Sequence, residues 1–415
     1  MRTEDELSGA LRDAADRAPE LDLLAGVGER RRRRTRRRAQ LLAAAAVVGV
    51  VSTSTVVAQG VFSSGGGEEA AAMPTTTMTV TKPHPTRTVT ATPRPTTQAM
   101  GTPISKLWPQ ALFQMPAKNA DGWRYRPITG INATEVLLNA ESSFEKAGKI
   151  EVYDTKTGKS RVVTEVTATP GLKRNFQQAA STDGKNVVWY STASKNGTPI
   201  AELWWAPLPG GKAKRAATLT GGDAAVDAVG VDGENIVWSM RKGGVFQVPF
   251  TGGTPSRVPK AEGLHLIGWP WASDVGEGTN EGERNQSKIV NLADGTVTKI
   301  AIKGGTKGLR CGSVWCVGRR GSVPFVQRID GTGDKKQGFG FMGLRPYPIL
   351  DRFLQRFGGV YDLNTDKLAR MGGSGSWSGV GTSSEPSTII YWGTTKGDKP
   401  DKYWVLNLAA VPPAQ

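Results

Sequence analysis

Residues 181–191 read STDGKNVVWYS, a turn-forming Asp183-Gly184 pair followed by a β-branched and aromatic run. Such a stretch is either a ligand-binding loop or one copy of a structural unit, and a search for copies decides between them. A strand running into a tight turn recurs as KIEVYDTKTG (149–158), AELWWAPLPGG (201–211), GVFQVPFTGG (244–253) and SKIVNLADG (287–295). It continues as PFVQRIDG (324–331), GGVYDLNTD (358–366) and KYWVLNLA (402–409). That makes seven copies, with turns near 158, 210, 252, 295, 331, 366 and 408 and a mean spacing of about 42 residues. A period of 40–45 residues built from short strands is the signature of propeller blades.

Upstream of the copies lie further strand-like runs, including ATEVLLNA, NVVWYSTA, NIVWSM, VWCVGR, DRFLQRF and STIIYWG. The fourth copy, around GWPWASDV, is the least regular. Short polar-alternating runs such as SRVVTEV, AKRAATLT and VTKIAIK follow them, as expected for strands packed against neighbours on both faces. The prediction is an all-β, seven-bladed β-propeller over residues 103–415, four strands to a blade. The last copy ends with no room for its outer strand, whereas SKLWPQALFQMP (105–116) precedes the first blade without a partner. Adding 105–116 as the outer strand of the last blade closes the ring and removes an exposed edge. Gly (52) and Pro (25) are abundant and apolar content is 38%, which suits strands and turns better than helices.

STDGKNVVWYS followed by AELWWAPLPGGKAKRAATLTGG is similar to the repeat of TolB-like, WD-repeat-like β-propellers, with Thr182 where that repeat usually carries proline. Residues 231–260 are the next best match. The chain also resembles membrane-anchored actinobacterial propellers of this type. The resemblance implies protein–protein contact on the propeller faces rather than chemistry. TolB proper carries an additional α/β domain, which this chain replaces with an anchor and a stalk, so a Tol-Pal role does not transfer.

Ahead of the propeller, Arg30–Arg34 and Arg36–Arg38 precede an uncharged apolar run within 39–62. About 20 residues span a bilayer as a helix, and the one-sided arginines place the N-terminus in the cytoplasm. The alternative is a cleaved signal peptide ending near Val56-Val57-Ala58, but its 38-residue leader is long for one. The reading adopted is a cytoplasmic basic tail (1–38), a single transmembrane helix (39–62) and a disordered Thr/Pro-rich linker (63–102). Leu7, Leu11, Ala14 and Ala15 give the tail a helical period, read either as a docking site for a cytoplasmic regulator or as a leader to the anchor. Similar tails occur in actinobacterial relatives of anti-sigma factors, but here the zinc-binding His/Cys set is absent. His84, alone in the linker, has no catalytic company.

The net charge of +16 divides unevenly, +12 of it falling within residues 103–415. Basic surfaces attract anionic lipids, wall polymers or nucleic acid; the plain reading is a solvated Lys/Arg surface. No nucleic-acid-binding motif supports a nucleic-acid partner. Cys311 and Cys316, the only cysteines, are expected to form a disulfide across one blade hairpin with Gly312–Ser313 in its turn. No metal or cofactor is expected. His265, on an apparent inner strand, would line the channel or pack in the core. Arg126, Arg310 and Arg345, also on inner strands, could form a basic channel mouth that holds a ligand together with His265. IDGTGD (329–334) has too few ligands for a calcium loop and reads as a hairpin turn. Function is accordingly expected to be a non-enzymatic, membrane-anchored extracytoplasmic platform for a protein or an anionic envelope polymer. The rivals are a hydrolase or lyase in the central channel and an anti-sigma-like regulator signalling through its tail.

Overall fold

The computed structural model describes residues 101–413, apart from 144–145, 277–282, 337–346, 357, 372–386 and 394–400. The tail, the anchor and nearly all of the linker lie outside these residues. Among the described residues no helix is long and apolar enough to cross a membrane. The strands form seven separate sheets, the blades of a seven-bladed β-propeller. Blade 1 comprises Arg124–Gly130, Glu135–Ser143, Lys146–Asp154 and Lys159–Glu165. Blade 2 comprises Lys173–Thr182, Asn186–Lys195, Thr198–Pro207 and Lys214–Thr220. Blade 3 follows with Val226–Asp232, Asn235–Met240, Val245–Pro249 and Ser256–Arg257. Blade 4 has His265–Gly268, Trp271–Ser273, Lys288–Asn291 and Thr296–Lys299, and blade 5 has Thr306–Cys311, Trp315–Arg320, Val323–Arg328 and Lys335–Lys336. Of blade 6 the described strands include Phe353–Arg356, Gly359–Asp362 and Lys367–Arg370, and of blade 7 Ile389–Gly393 and Lys402–Asn407.

The core is distributed between the blades. Among the described residues seven apolar clusters occur, one at each junction of neighbouring blades, the blade 7–blade 1 junction included. Strand alternation explains this, because successive side chains leave opposite faces of a sheet. In blade 2, Val187 and Trp189 pack toward blade 1 while Val188 and Tyr190 pack toward blade 3. Trp238 occupies in blade 3 the place of Trp189 in blade 2, and both face the preceding blade.

Ring closure is confirmed, on a shorter strand than the sequence predicts. Only Leu112–Pro116 is extended, and it pairs antiparallel with Lys402–Asn407 as the outer strand of blade 7. Ile104–Leu107 makes one helical turn, and Pro109 starts a 3-10 turn through Ala111. This turn structure packs Ile104, Trp108 and Ala111 into the blade 6–7 junction, which an extended strand at the rim would not do. Thr102–Pro103 adds a second closure, pairing parallel with Ala369 and Arg370 at the outer edge of blade 6. Hydrogen bonds reinforce the seam: Gly130 N donates to Thr388 Oγ1 (3.0 Å), Thr388 N to Thr129 Oγ1 (3.1 Å) and Asn407 Nδ2 to the Asn132 carbonyl (2.7 Å).

Up-and-down strands put the first–second and third–fourth turns at one end of the ring, here termed the turn face. The remaining connections share the other end, the loop face. Carboxylates and amides pin the turn face. In STDGKNVVWYS, Asp183 Oδ1 accepts the amides of Lys185 (2.8 Å) and Asn186 (2.6 Å), with Gly184 at φ 85°. The Thr182 hydroxyl, where the repeat usually has proline, donates to the Asn186 carbonyl (2.7 Å). Asn132, Asp154, Asp294 and Asp330 accept amides in the same way. Those amide and hydroxyl donors hold the Asp154, Asp294 and Asp330 carboxyls below the ordinary range.

Asp362 of blade 6 is the buried version of this device. Arg352 Nε and Nη2 reach its two oxygens at 2.9 and 2.7 Å, and Asn364 N and Thr365 Oγ1 also donate to it. Burial pushes this carboxyl up, but Arg352 and the other donors outweigh burial and hold it below its usual range. A depressed carboxyl stabilises the fold above its unfolded pKa, and the contribution is lost as pH falls through the folded value. Asp362→Asn is therefore expected to lower the melting temperature at pH 7, by a margin that shrinks below about pH 4. Thermal melts of both proteins across pH 2–7, roughly the span over which a carboxylate titrates, check this; a constant margin would contradict it.

Candidate functional site

The inner strands carry the sequence-nominated residues. Arg126 lies on the first strand of blade 1, His265 on that of blade 4 and Arg310 on that of blade 5. Arg345 lies outside the described residues. The three that are described sit on separate blades, and each is engaged by its neighbours. Arg126 Nε stands 2.5 Å from Glu141 Oε1 on the second strand of its own blade. Nearby Tyr391 of blade 7 has its phenol pushed up to about 12 by burial and by Tyr403, against the pull of Arg126 and Arg124.

His265 Nδ1 lies 3.0 Å from Asp227 Oδ2 of blade 3, with side chains only 9% and 10% exposed. A Cβ built on Gly276 would stand 2.5 Å from that nitrogen, so glycine is what lets the backbone pass there. A histidine oriented by a carboxylate is acid–base machinery in form. Here it ties two blades together, with both groups turned into the seam.

Arg310 is 8% exposed, and its Nη1 donates to the carbonyls of Arg284 (2.6 Å) and Leu309 (3.0 Å). Its cover comes from the connection between the second and third strands of blade 4. There Gly308 N donates to the Glu283 carbonyl, Gln286 N to the Leu309 carbonyl and Leu309 N to Asn285 Oδ1, each at 3.0 Å. Gln286 is fully buried and accepts Cys311 N at 2.6 Å. Glu283 pairs with Lys307 and Arg319. Residues 283–286 thus lie along the free edge of the first strand of blade 5. No sequence motif announces this strap; its only signal is the irregular fourth copy with its long connection.

Cys311 and Cys316 form the hairpin disulfide, as directly opposed residues, both fully buried. The turn they enclose has no aspartate of its own. Asp351, at the entry to Phe353–Arg356 of blade 6, supplies one: its carboxylate accepts Ser313 N, Ser313 Oγ, Val314 N (3.1 Å) and Trp315 N (3.1 Å). In IDGTGD, Asp330 accepts the amide and hydroxyl of Thr332, and Asp334 pairs with Arg320 (2.7 Å) and Lys303 (3.3 Å). Both carboxylates are thereby used by the turn and its neighbours.

One hollow opens on blade 2 toward blade 1, lined by Val166, Thr167, Asn175, Trp189, Ser191, Trp204 and Ala213. Trp189 and Trp204 stack in its wall with centroids 6.4 Å apart. Ser191 Oγ and both amide atoms of Gln177, its cross-strand neighbour, are buried without a protein partner. Its room is that of about one water molecule, which suits solvation of these groups and no larger ligand.

No family model matches this chain, and no curated protein matches it. Among solved structures it is similar to an oligogalacturonate lyase from Vibrio parahaemolyticus, at 10% identity over 70% of this chain and 90% of that one, with TM-score 0.33. BamB from Moraxella catarrhalis gives 12% identity over 68% and 85%, with TM-score 0.34. Hsv2 of Kluyveromyces lactis gives 10% over 58% and 75%, with TM-score 0.33. The fold rests on the chain's own seven separate sheets, and it is that of a seven-bladed β-propeller.

Proposed function

We propose that the chain is a membrane-anchored, extracytoplasmic propeller of TolB-like type, serving as a protein-interaction platform that docks its partner on the loop face. The observation that carries this reading is the asymmetry of the two ends. The turn face is closed by short turns whose amides are taken up by Asp183, Asp154, Asp294, Asp330 and Asp351. The loop face carries, beside tight hairpins at 196–197 and 321–322, the long connection 274–287 of blade 4 and the blade-to-blade links 166–172 and 258–264, between strands whose positions are fixed by the blade junctions. Variable loops on a rigid scaffold are where binding residues concentrate. The arginine cluster and apolar run of the N-terminal segment support the anchor and its orientation.

The test is photo-cross-linking in intact cells with the full chain. A photoreactive residue replaces Gly171 or Lys242 on the loop face, or Lys156 or Gly233 on the turn face. Discrete protein adducts are expected from 171 and 242 and not from 156 and 233. Adducts confined to the turn face, or none from any position, would overturn the reading.

A further inference from the structure

The outer edges of blades 1 and 2 meet in a basic and aromatic strip. The loop 208–213 of blade 2 lies against the outer strand of blade 1, where Arg161 Nη1 donates to the Leu208 carbonyl (2.7 Å) and Gly211 N to the Val163 carbonyl (2.9 Å). On its other side Leu208 N donates to the Lys185 carbonyl (2.7 Å). These contacts bring Arg161, Lys185 and Lys212 onto one stretch of rim; Lys214 and Arg215 follow along the outer strand of blade 2 and leave its opposite faces, Lys214 toward blade 3 and Arg215 toward blade 1, and all five are exposed. Lys214 lies over the Trp205 ring (5.2 Å to its centroid) and Arg215 over the Trp204 ring (5.8 Å). Trp205 is itself fixed, stacked on Phe250 at 4.3 Å and donating from Nε1 to the Phe250 carbonyl.

Of the local acids, Glu202 neutralises Arg215 and leaves the lysines uncancelled. Glu202 has a side chain only 1% exposed and is consumed by Arg215 (2.5 Å) and the Thr169 hydroxyl (2.7 Å). Asp183 is turned onto the amides of Lys185 and Asn186, and Glu135 stands 3.9 Å from Arg161. Lys185, Lys212 and Lys214 have no ion-pair partner among the described residues. The segment LPGGKAKR (208–215) holds three cations and no acid.

We propose that this juxtaposition of Arg161, Lys185 and Lys212 on the rim of blades 1 and 2, continued by Lys214 round the outer edge of blade 2, binds a linear phosphate-bearing polyanion. Lysine ammonium groups are compact point charges suited to phosphate oxygens, and Lys214 is steadied over the Trp205 indole. The strip is an edge, and the hollow adjoining it at Ala213 takes only water. A flexible chain of regularly spaced charges fits that shape better than an acidic peptide, whose side chains need pockets. The proposal rests on the platform reading but uses a different surface from the loop face, so either can fail while the other stands.

The test uses the full chain in detergent micelles and fluorescently labelled inorganic polyphosphate or a glycerol-phosphate oligomer, followed by anisotropy. Lys212→Glu/Lys214→Glu is compared with Lys299→Glu/Lys367→Glu, which makes the same charge change on the outer strands of blades 4 and 6. The expected result is a loss of about tenfold or more in affinity for the first pair and about twofold or less for the second. The slope of log K against log salt should fall by about 1.4 for two lost phosphate contacts. Binding of either phosphate polymer with this pattern supports the proposal, and the tighter one identifies the source. Equal losses in both variants, no loss in the first, or tighter binding of polyglutamate would overturn it. Unchanged loop-face cross-links in Lys212→Glu/Lys214→Glu would show that the two surfaces act separately.

Discussion

A chain starting at residue 118 is expected to fail to fold, whereas one starting at residue 101 should melt as a single cooperative unit. The first lacks Leu112–Pro116 and with it the five paired positions that complete blade 7. It also loses Ile104, Trp108, Ala111 and Met115, each at most 5% exposed. Large apolar side chains of this kind stabilise by roughly 1.5–3 kcal/mol each on burial. Three of them together match much of the 5–15 kcal/mol by which folded domains typically exceed their unfolded states. The truncation also leaves Lys402–Asn407 as an open edge, inviting association with other chains. Far-UV circular dichroism, a thermal melt and gel filtration of both truncations decide the matter. A monomeric 118–415 chain with the melting profile of 101–415 would refute the prediction.

Asp351→Ala is expected to destabilise the propeller by about 3 kcal/mol, the cost of leaving several amide donors without the charged acceptor they converge on. The effect should exceed that of removing an ordinary turn aspartate, because Asp351 joins two blades. Ser313 N, Ser313 Oγ, Val314 N and Trp315 N all belong to blade 5, while the carboxylate comes from the entry to blade 6. Chemical denaturation of Asp351→Ala beside Asp183→Ala provides the comparison, since Asp183 accepts amides only from its own hairpin. Equal losses in the two variants would mean that the junction of blades 5 and 6 does not depend on this clamp.

Blade number, blade order and the closing strand were legible in the sequence because they rest on local signals repeated at one period. Asp183-Gly184 ahead of NVVWYS is a turn and a strand wherever it stands, and seven such units with an unpaired segment at the start leave one ring. The disulfide was legible for the same reason, a short hairpin spacing. What the residues touch across seams was not legible. His265 read as a channel or core histidine, yet its partner Asp227 lies 38 positions away on another blade. Arg310 read as part of an open mouth, yet residues 283–286 cover it through backbone bonds that no side-chain pattern encodes. Nor did composition separate the strip on blades 1 and 2 from the general basic excess. Its distinction is that loop 208–213 brings Arg161 and Lys185 beside its own cations, a matter of packing rather than of sequence.

Closure also imposes an order in time. Leu112 pairs with Leu406 and Pro116 with Lys402, so a strand made near the start waits for one made near the end. At roughly 5–20 residues per second, the intervening stretch of nearly 300 residues takes a ribosome on the order of 15–60 s. Through that interval blades 1 to 5 can each form from contiguous sequence, while Leu112–Pro116 has no partner in existence. A five-residue strand ending in proline is a poor template for pairing with strangers. Its brevity is thus suited to the long wait between its synthesis and its use.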